Sequence, residues 1–217
     1  RDRLRAMSVE MSKLRKQYSD NVLDATNAFE IVIKDDALLA GLPESARAAA
    51  RESAKRKGVD GWRFTLQEPS FRAVMTYLDD AGIRERIYRA YNGRASGGVN
   101  DNVAIMKRIL ELRRERAHLL GYKNYADLTV EDRMAKNGER VREFLATLDQ
   151  KTRPFYEKEN AEILAFRRSI EGPNASAPAP WDILYYAEKM RKARYDFDEE
   201  AVRPYFPMAS VQKGMFE

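Results

Sequence analysis

Ala177-Pro-Ala-Pro-Trp-Asp-Ile-Leu-Tyr-Tyr-Ala-Glu-Lys-Met190, followed by Arg203-Pro-Tyr-Phe-Pro207, is the most specific stretch of this chain. Prolines on both sides set off a Trp-Asp pair and two adjacent tyrosines. Asp182 is placed to cap a helix running through Met190. Its carboxylate would accept a hydrogen bond from an orphaned N–H of the first turn, worth about 1 kcal/mol. Ile183, Tyr186 and Met190 then fall on one side of that helix. Tyr195–Asp198 reads as extended or turn-like. Glu199–Val202 is a short helix, stopped by Pro204 and Pro207 because proline cannot donate to the helix ladder.

Upstream, helical periodicity dominates. Residues 1 to about 29 carry Leu4, Met7, Met11, Leu14, Tyr18, Val22, Ala25 and Phe29 at steps of three and four, a single stripe for packing into a bundle. Two short segments break the pattern. Residues 30–34 are β-branched, and residues 62–67 alternate with Trp62, Phe64 and Leu66 on one face. These two strands are expected to pair as a small sheet. Between them a helix opens with Pro43 at its first position and closes at Gly58, the left-handed cap. Another helix starts at Pro69 and ends at Ala81-Gly82, and Ile83, Ile87 and Tyr91 mark the next. The fold class expected is mainly α, a bundle of antiparallel and kinked helices with that small sheet.

Gly93–Asn100 is the first clear loop and is expected to separate a segment 1–95 from a segment 101–217. The helix 101–120 carries an apolar face of Val103, Met106, Ile109, Leu110, Ala117 and Leu120, with Gly121 as its stop. Asn124 begins a shorter helix. Asn137 or Gly138 caps a longer one, in which Val141, Phe144, Leu145 and Leu148 keep helical spacing and Pro154 breaks or kinks the run. Glu171–Pro180 is a second exposed loop.

Composition limits the function classes. Hydrophobic residues make up 44% and charged residues 34% of 217, which is globular rather than disordered. The net charge is +5, from 39 basic and 34 acidic residues that interleave as on solvated helix faces. A pI of ≈ 9.3 leaves nucleic-acid binding as a minor reading, and no nucleic-acid partner is assigned. No cysteine is present, so disulfide and thiolate chemistry are excluded for this chain. No apolar run reaches the length of a membrane span, and no membrane partner is assigned. The chain opens at Arg1 within an apparent helix and stops just after the proline-rich motif, so a piece of a longer protein is expected.

A search for chemistry finds little. His118 is the only histidine. One His cannot supply the two ligands of a His-Glu-x-x-His zinc site, and it reads as a partly exposed structural residue. Gly97-Gly98 lacks a following Lys-Ser/Thr and does not cradle a phosphate. Asp79-Asp80 and Glu199-Glu200 are sequence neighbours that point apart on a helix, so neither pair is given an acid–base role. Arg51, Lys55, Arg56 and Lys57 read as a helix C-terminus complementing its dipole. Tyr185, Tyr186, Tyr205 and Phe206 could line either a peptide-binding surface or a core, and core packing is the simpler reading. No catalytic, cofactor-binding or metal-binding residue is therefore assigned to any position.

In order along the chain, several segments carry a resemblance. They are Gln17–Thr26, Leu39–Ser45, Phe64–Leu66 with Pro69-Ser70, Ile87–Tyr91 with Arg94-Ala95, Leu119–Asp127, Met134-Ala135, Pro180–Lys189, and Arg203–Pro207 with Gly214–Phe216. Together they resemble the thimet-type oligopeptidase family of zinc metallopeptidases, most closely its bacterial members. The resemblance implies a largely helical enzyme with a deep channel admitting short peptides. It implies a zinc held by the two histidines of His-Glu-x-x-His and a downstream glutamate, in residues this sequence does not contain. On this resemblance the chain is expected to be a non-catalytic helical portion of a cytoplasmic oligopeptidase, shaping one wall of its channel. It is expected to hold no zinc and to hydrolyse nothing alone, with zinc and short peptide substrates belonging to the parent enzyme. Apolar stripes left bare by truncation would give a route to dimerisation. The alternative is a non-enzymatic helical module that binds peptides or proteins.

Overall fold

The computed structural model describes residues 1–196 and 199–216. The chain is mainly helical, with one two-stranded sheet. Two compact units are present, residues 1–29 with 89–160, and residues 30–88 with 161–217.

In the first unit, α1 (Asp2–Ala28) and α5 (Val103–Leu119) pack together. The expected stripe of α1 is used at its centre. Met7 and Met11 are buried against Leu112 of α5, with Leu14 alongside. Tyr18 of the same stripe is exposed. The polar rim of this contact is bridged by Arg108 to Glu10 at 2.7 Å and by Arg3 to Glu115 at 2.6 Å. The loop after α4 (Ala81–Asn92) is pinned at both ends. Arg94 donates to Thr26 and to the Tyr91 carbonyl, and the buried Asn102 donates to the Tyr18 carbonyl and accepts from Asn21.

The face expected to be buried on α5 is only partly correct. Ile105, Ile109, Leu112 and Ala117 are buried, whereas Val103, Met106, Leu110 and Leu120 are exposed. The helix is apolar over more than half its circumference, and its contacts with α1 and with the next helix (Tyr125–Val130) cover only part of that. Gly121 does stop it, at φ +82°. Next come α6 (Tyr125–Val130) and α7 (Gly138–Glu171). Asn124 caps α6 by accepting from the Asp127 N–H, and Asn137 caps α7 by accepting from the Arg140 N–H, both at 2.9 Å. Pro154 does not break α7, which runs continuously through it.

In the second unit, β1 (Glu30–Ile33) and β2 (Trp62–Thr65) pair antiparallel, with Ile31 opposite Phe64. Ile31, Ile33, Phe64 and Leu66 enter the core, while Trp62 is half-buried beneath the Arg51 guanidinium. Helix α2 (Glu44–Lys57) lies against β2. Pro43 is its N-cap rather than its first residue, and Gly58 takes the left-handed cap at φ +73°.

The expected end of the next helix is wrong by one junction. Helix α3 (Glu68–Tyr77) stops before Leu78, and Ala81-Gly82 opens α4 instead of closing α3. The cause is Asp80, whose carboxylate accepts from the Ile83 N–H at 2.7 Å and so caps the new helix. The chain then adds α8 (Ile183–Tyr195), α9 (Glu199–Val202) and α10 (Met208–Phe216). Asp196 ends α8 in the left-handed conformation. Phe197 and Asp198 of the expected turn, and the side chains of Glu199 and Glu200, lie outside the described residues.

The turn before α2 is pressed against the α3–α4 junction. Gly41 has φ +88°, and a Cβ there would stand 2.1 Å from the Tyr77 carbonyl oxygen. Gly58 is equally left-handed, but a Cβ there meets nothing within 4 Å. Gly41→Ala is therefore expected to cost about 2–4 kcal/mol, from backbone strain plus a clash that only backbone movement relieves. Gly58→Ala should cost about 1 kcal/mol, from strain alone. Urea denaturation midpoints compare the two, and equal losses would contradict this packing.

Candidate functional site

The stretch from Pro180 to Lys189 is the centre of a buried polar network. Asp182 sits at the N-cap of α8, but its carboxylate makes no capping bond. It turns inward. Oδ1 accepts from Arg84 Nη2 at 2.5 Å, and both side chains are almost wholly buried, 2% exposed for Arg84 and 7% for Asp182. Oδ2 accepts from the Ala179 N–H at 3.3 Å, which closes the turn after the prolines. The expected capping role of Asp182 is thus corrected. A buried guanidinium competes for the carboxylate more strongly than a neutral N–H at the helix end.

Arg84 joins three elements. Its Nη1 donates to the carbonyls of Leu78 at 2.6 Å and Asp79 at 2.9 Å, just past the end of α3. Cations are favoured at that position because helix-end carbonyls lack partners. Its guanidinium also lies over the Tyr185 ring, 4.0 Å from the centroid. Arg167 of α7 approaches the other Asp182 oxygen at 3.7 Å.

The two tyrosines belong to the core. Tyr185 and Tyr186 are buried, their rings edge to face with centroids 5.1 Å apart, packed on Ile163 with Phe166 beside them. The Tyr185 hydroxyl donates to Asp79 at 2.8 Å, and Lys189 meets the same carboxylate at 3.1 Å. Burial pushes the Asp79 carboxyl up, but these two partners outweigh it and hold it below the usual carboxylate range. The Tyr186 hydroxyl donates to Glu171, which also receives Arg167 at 2.8 Å. The Tyr186 bond, chiefly, holds the Glu171 carboxyl low, and burial together with that bond pushes the Tyr186 phenol up. Trp181 stacks at a tilt on Tyr88, 6.0 Å between centroids. By contrast Tyr205 and Phe206 are exposed.

The other residues weighed from sequence are not brought together. His118 is exposed near the end of α5, and Arg51, Lys55, Arg56 and Lys57 are exposed at the end of α2. Among the described residues no group of three or more His, Cys, Asp or Glu side chains is placed to hold a metal ion. A zinc site therefore does not fit these residues. The network's contacts tie the end of α3 and the start of α4 to the start of α8. Arg84, Arg167 and Glu171 are the members that sequence reasoning missed. Arg84 had a usable signal, since it lies three and seven residues before Ile87 and Tyr91, on the stripe that otherwise faces the core.

The family model described as Peptidase family M3 matches residues 74–217, which contain every member of this network. This chain belongs to peptidase family M3. It is 44% identical over 216 residues to oligopeptidase A of Escherichia coli (strain K12), covering 97% of this chain and 32% of that protein. Probable cytosolic oligopeptidase A of Arabidopsis thaliana is 36% identical, with 100% of this chain and 32% of that protein covered. Dipeptidyl carboxypeptidase of Escherichia coli (strain K12) is 32% identical, with 99% and 32% covered. The chain thus spans about a third of the length of these curated family M3 relatives. Among the described residues, no helix is long and apolar enough to cross a membrane.

The network makes a quantitative demand. Arg84→Met or Asp182→Leu alone should destabilise the chain by about 3–5 kcal/mol, because each leaves its buried partner uncompensated. Arg84→Met combined with Asp182→Leu should lose clearly less than the sum, since both charges leave together. A double-mutant cycle in urea reads the coupling. Simple additivity would mean that the pair does not act as a unit.

Proposed function

We propose that this chain is a non-catalytic helical portion of a zinc-dependent oligopeptidase acting on short peptides, and that it shapes part of the wall of the peptide channel. The observation that carries the reading is 44% identity to oligopeptidase A across 97% of the chain. The side chains support a structural role, because their charged groups are spent on one another in the Arg84–Asp182 and Asp79–Tyr185–Lys189 contacts. The zinc, its ligands and the base that activates water belong, on this reading, to the rest of the enzyme. The proposed compartment is the cytoplasm.

A second reading is a helical module that binds peptides or proteins without chemistry. It draws on the exposed Tyr205, Phe206, Met208, Met215 and Phe216, a concentration of large apolar side chains in one short segment. Activity separates the readings only in the longer protein, so the test has two arms. The 217-residue chain, purified without added metal, should carry no stoichiometric zinc by elemental analysis and should leave a short quenched peptide intact. The longer protein that contains it should bind zinc and cleave that peptide, with cleavage lost to a chelator. One tight zinc on the 217-residue chain, or a longer protein that binds the peptide and never cuts it, would overturn the proposal.

A further inference from the structure

We infer that the first half of α7 is a docking surface for the part of the family M3 polypeptide that lies outside this chain. Every residue from Arg142 to Glu159 is exposed. That is a rod about 27 Å long with solvent on all sides. A helix of this length in water is marginal unless an apolar face is packed. This one has such a face, and among the described residues nothing covers it. Phe144, Leu145, Leu148, Phe155 and Tyr156 are each between 46% and 67% exposed.

The pattern is that of a helix made to be covered. At about 100° per residue, Val141, Phe144, Leu145, Leu148, Thr152, Phe155 and Tyr156 fall within one third of the circumference. No charged side chain occupies those positions. Glu143, Gln150 and Glu157 fall on the opposite side. Arg153 and Asp149 pair with each other at 2.7 Å, so this part of the polar side is satisfied within the helix. Five large apolar side chains between Phe144 and Tyr156 form a contiguous patch of the kind that marks an interface, and Glu159 bounds that face about one turn further on.

The occupant follows from length. The relatives are about three times as long as this chain, so two thirds of a family M3 polypeptide is available to cover the stripe. This inference rests on the reading above that the chain is one portion of a longer peptidase. Within that reading it names the partner and the contact residues.

The chain has no cysteine, so a single introduced thiol reports locally. Leu148→Cys and Gln150→Cys are placed separately in the 217-residue chain and in the full-length peptidase polypeptide carrying it, with other thiols removed from the latter. Maleimide labelling rates are then compared. Leu148→Cys should react about ten-fold or more slowly in the full-length protein than in the 217-residue chain, while Gln150→Cys keeps one rate in both. Equal rates for Leu148→Cys would overturn the inference. So would protection of Leu148→Cys in the 217-residue chain that grows with its concentration, since a second copy would then be the occupant. Peptide cleavage is read on the same full-length samples. Protection without cleavage would leave this inference standing and sink the proposed activity, and cleavage without protection would do the reverse.

Discussion

A guanidinium and a carboxylate taken almost completely out of water constrain everything around them. Each must keep its partner, because an uncompensated buried charge costs several kcal/mol. Arg84 and Asp182 meet this demand across nearly a hundred residues of sequence, at 2.5 Å. The pair sets where α3 ends, because Arg84 serves the carbonyls of Leu78 and Asp79. It sets where α8 begins, because Asp182 is held at that helix's first turn. The aromatic groups follow. Tyr185 lies under the guanidinium, and Tyr186 is locked between Arg167 and Glu171. Replacing such a pair by apolar residues is often neutral or favourable, so its value here is specificity of position more than stability.

Much of the remaining architecture was readable from local chemistry. Met7 and Met11 pack as the stripe in α1 requires, and the alternation in 62–67 matches the pairing of Phe64 with Ile31. Gly58, Asn124 and Asn137 stand where their cap chemistry places them. The caps depend on neighbours a few residues away, and the stripe and the alternation follow from spacing within one element. Two of the misreadings depend on distant partners and one on a local cap. Asp182 has the identity and position of an N-cap, and only Arg84 in three dimensions diverts it. Ala81-Gly82 resembles a helix stop, but the Asp80 cap makes it a start. On α5, Val103, Met106 and Leu110 have the right period, and periodicity alone cannot say which of two apolar strips meets α1. The 177–190 stretch was recognisably special, yet its role changed from a lone cap to the anchor of a network.

Family membership and the network point the same way. The segment matched to peptidase family M3 begins at Val74, just before the α3–α4 junction, and includes both Arg84 and Asp182. Through these residues the helices α3, α4 and α8 are held at fixed starts and ends by paired charges and tyrosines.

The central claim is that Arg84 and Asp182 hold α8 in place. Amide hydrogen exchange on the chain and on Asp182→Asn tests it most directly. Exchange in α8 and across Leu78–Arg84 should accelerate in the variant well before the amides of α2 and β2 respond. Unchanged protection of α8, or an equal rise across the whole second unit, would contradict the claim.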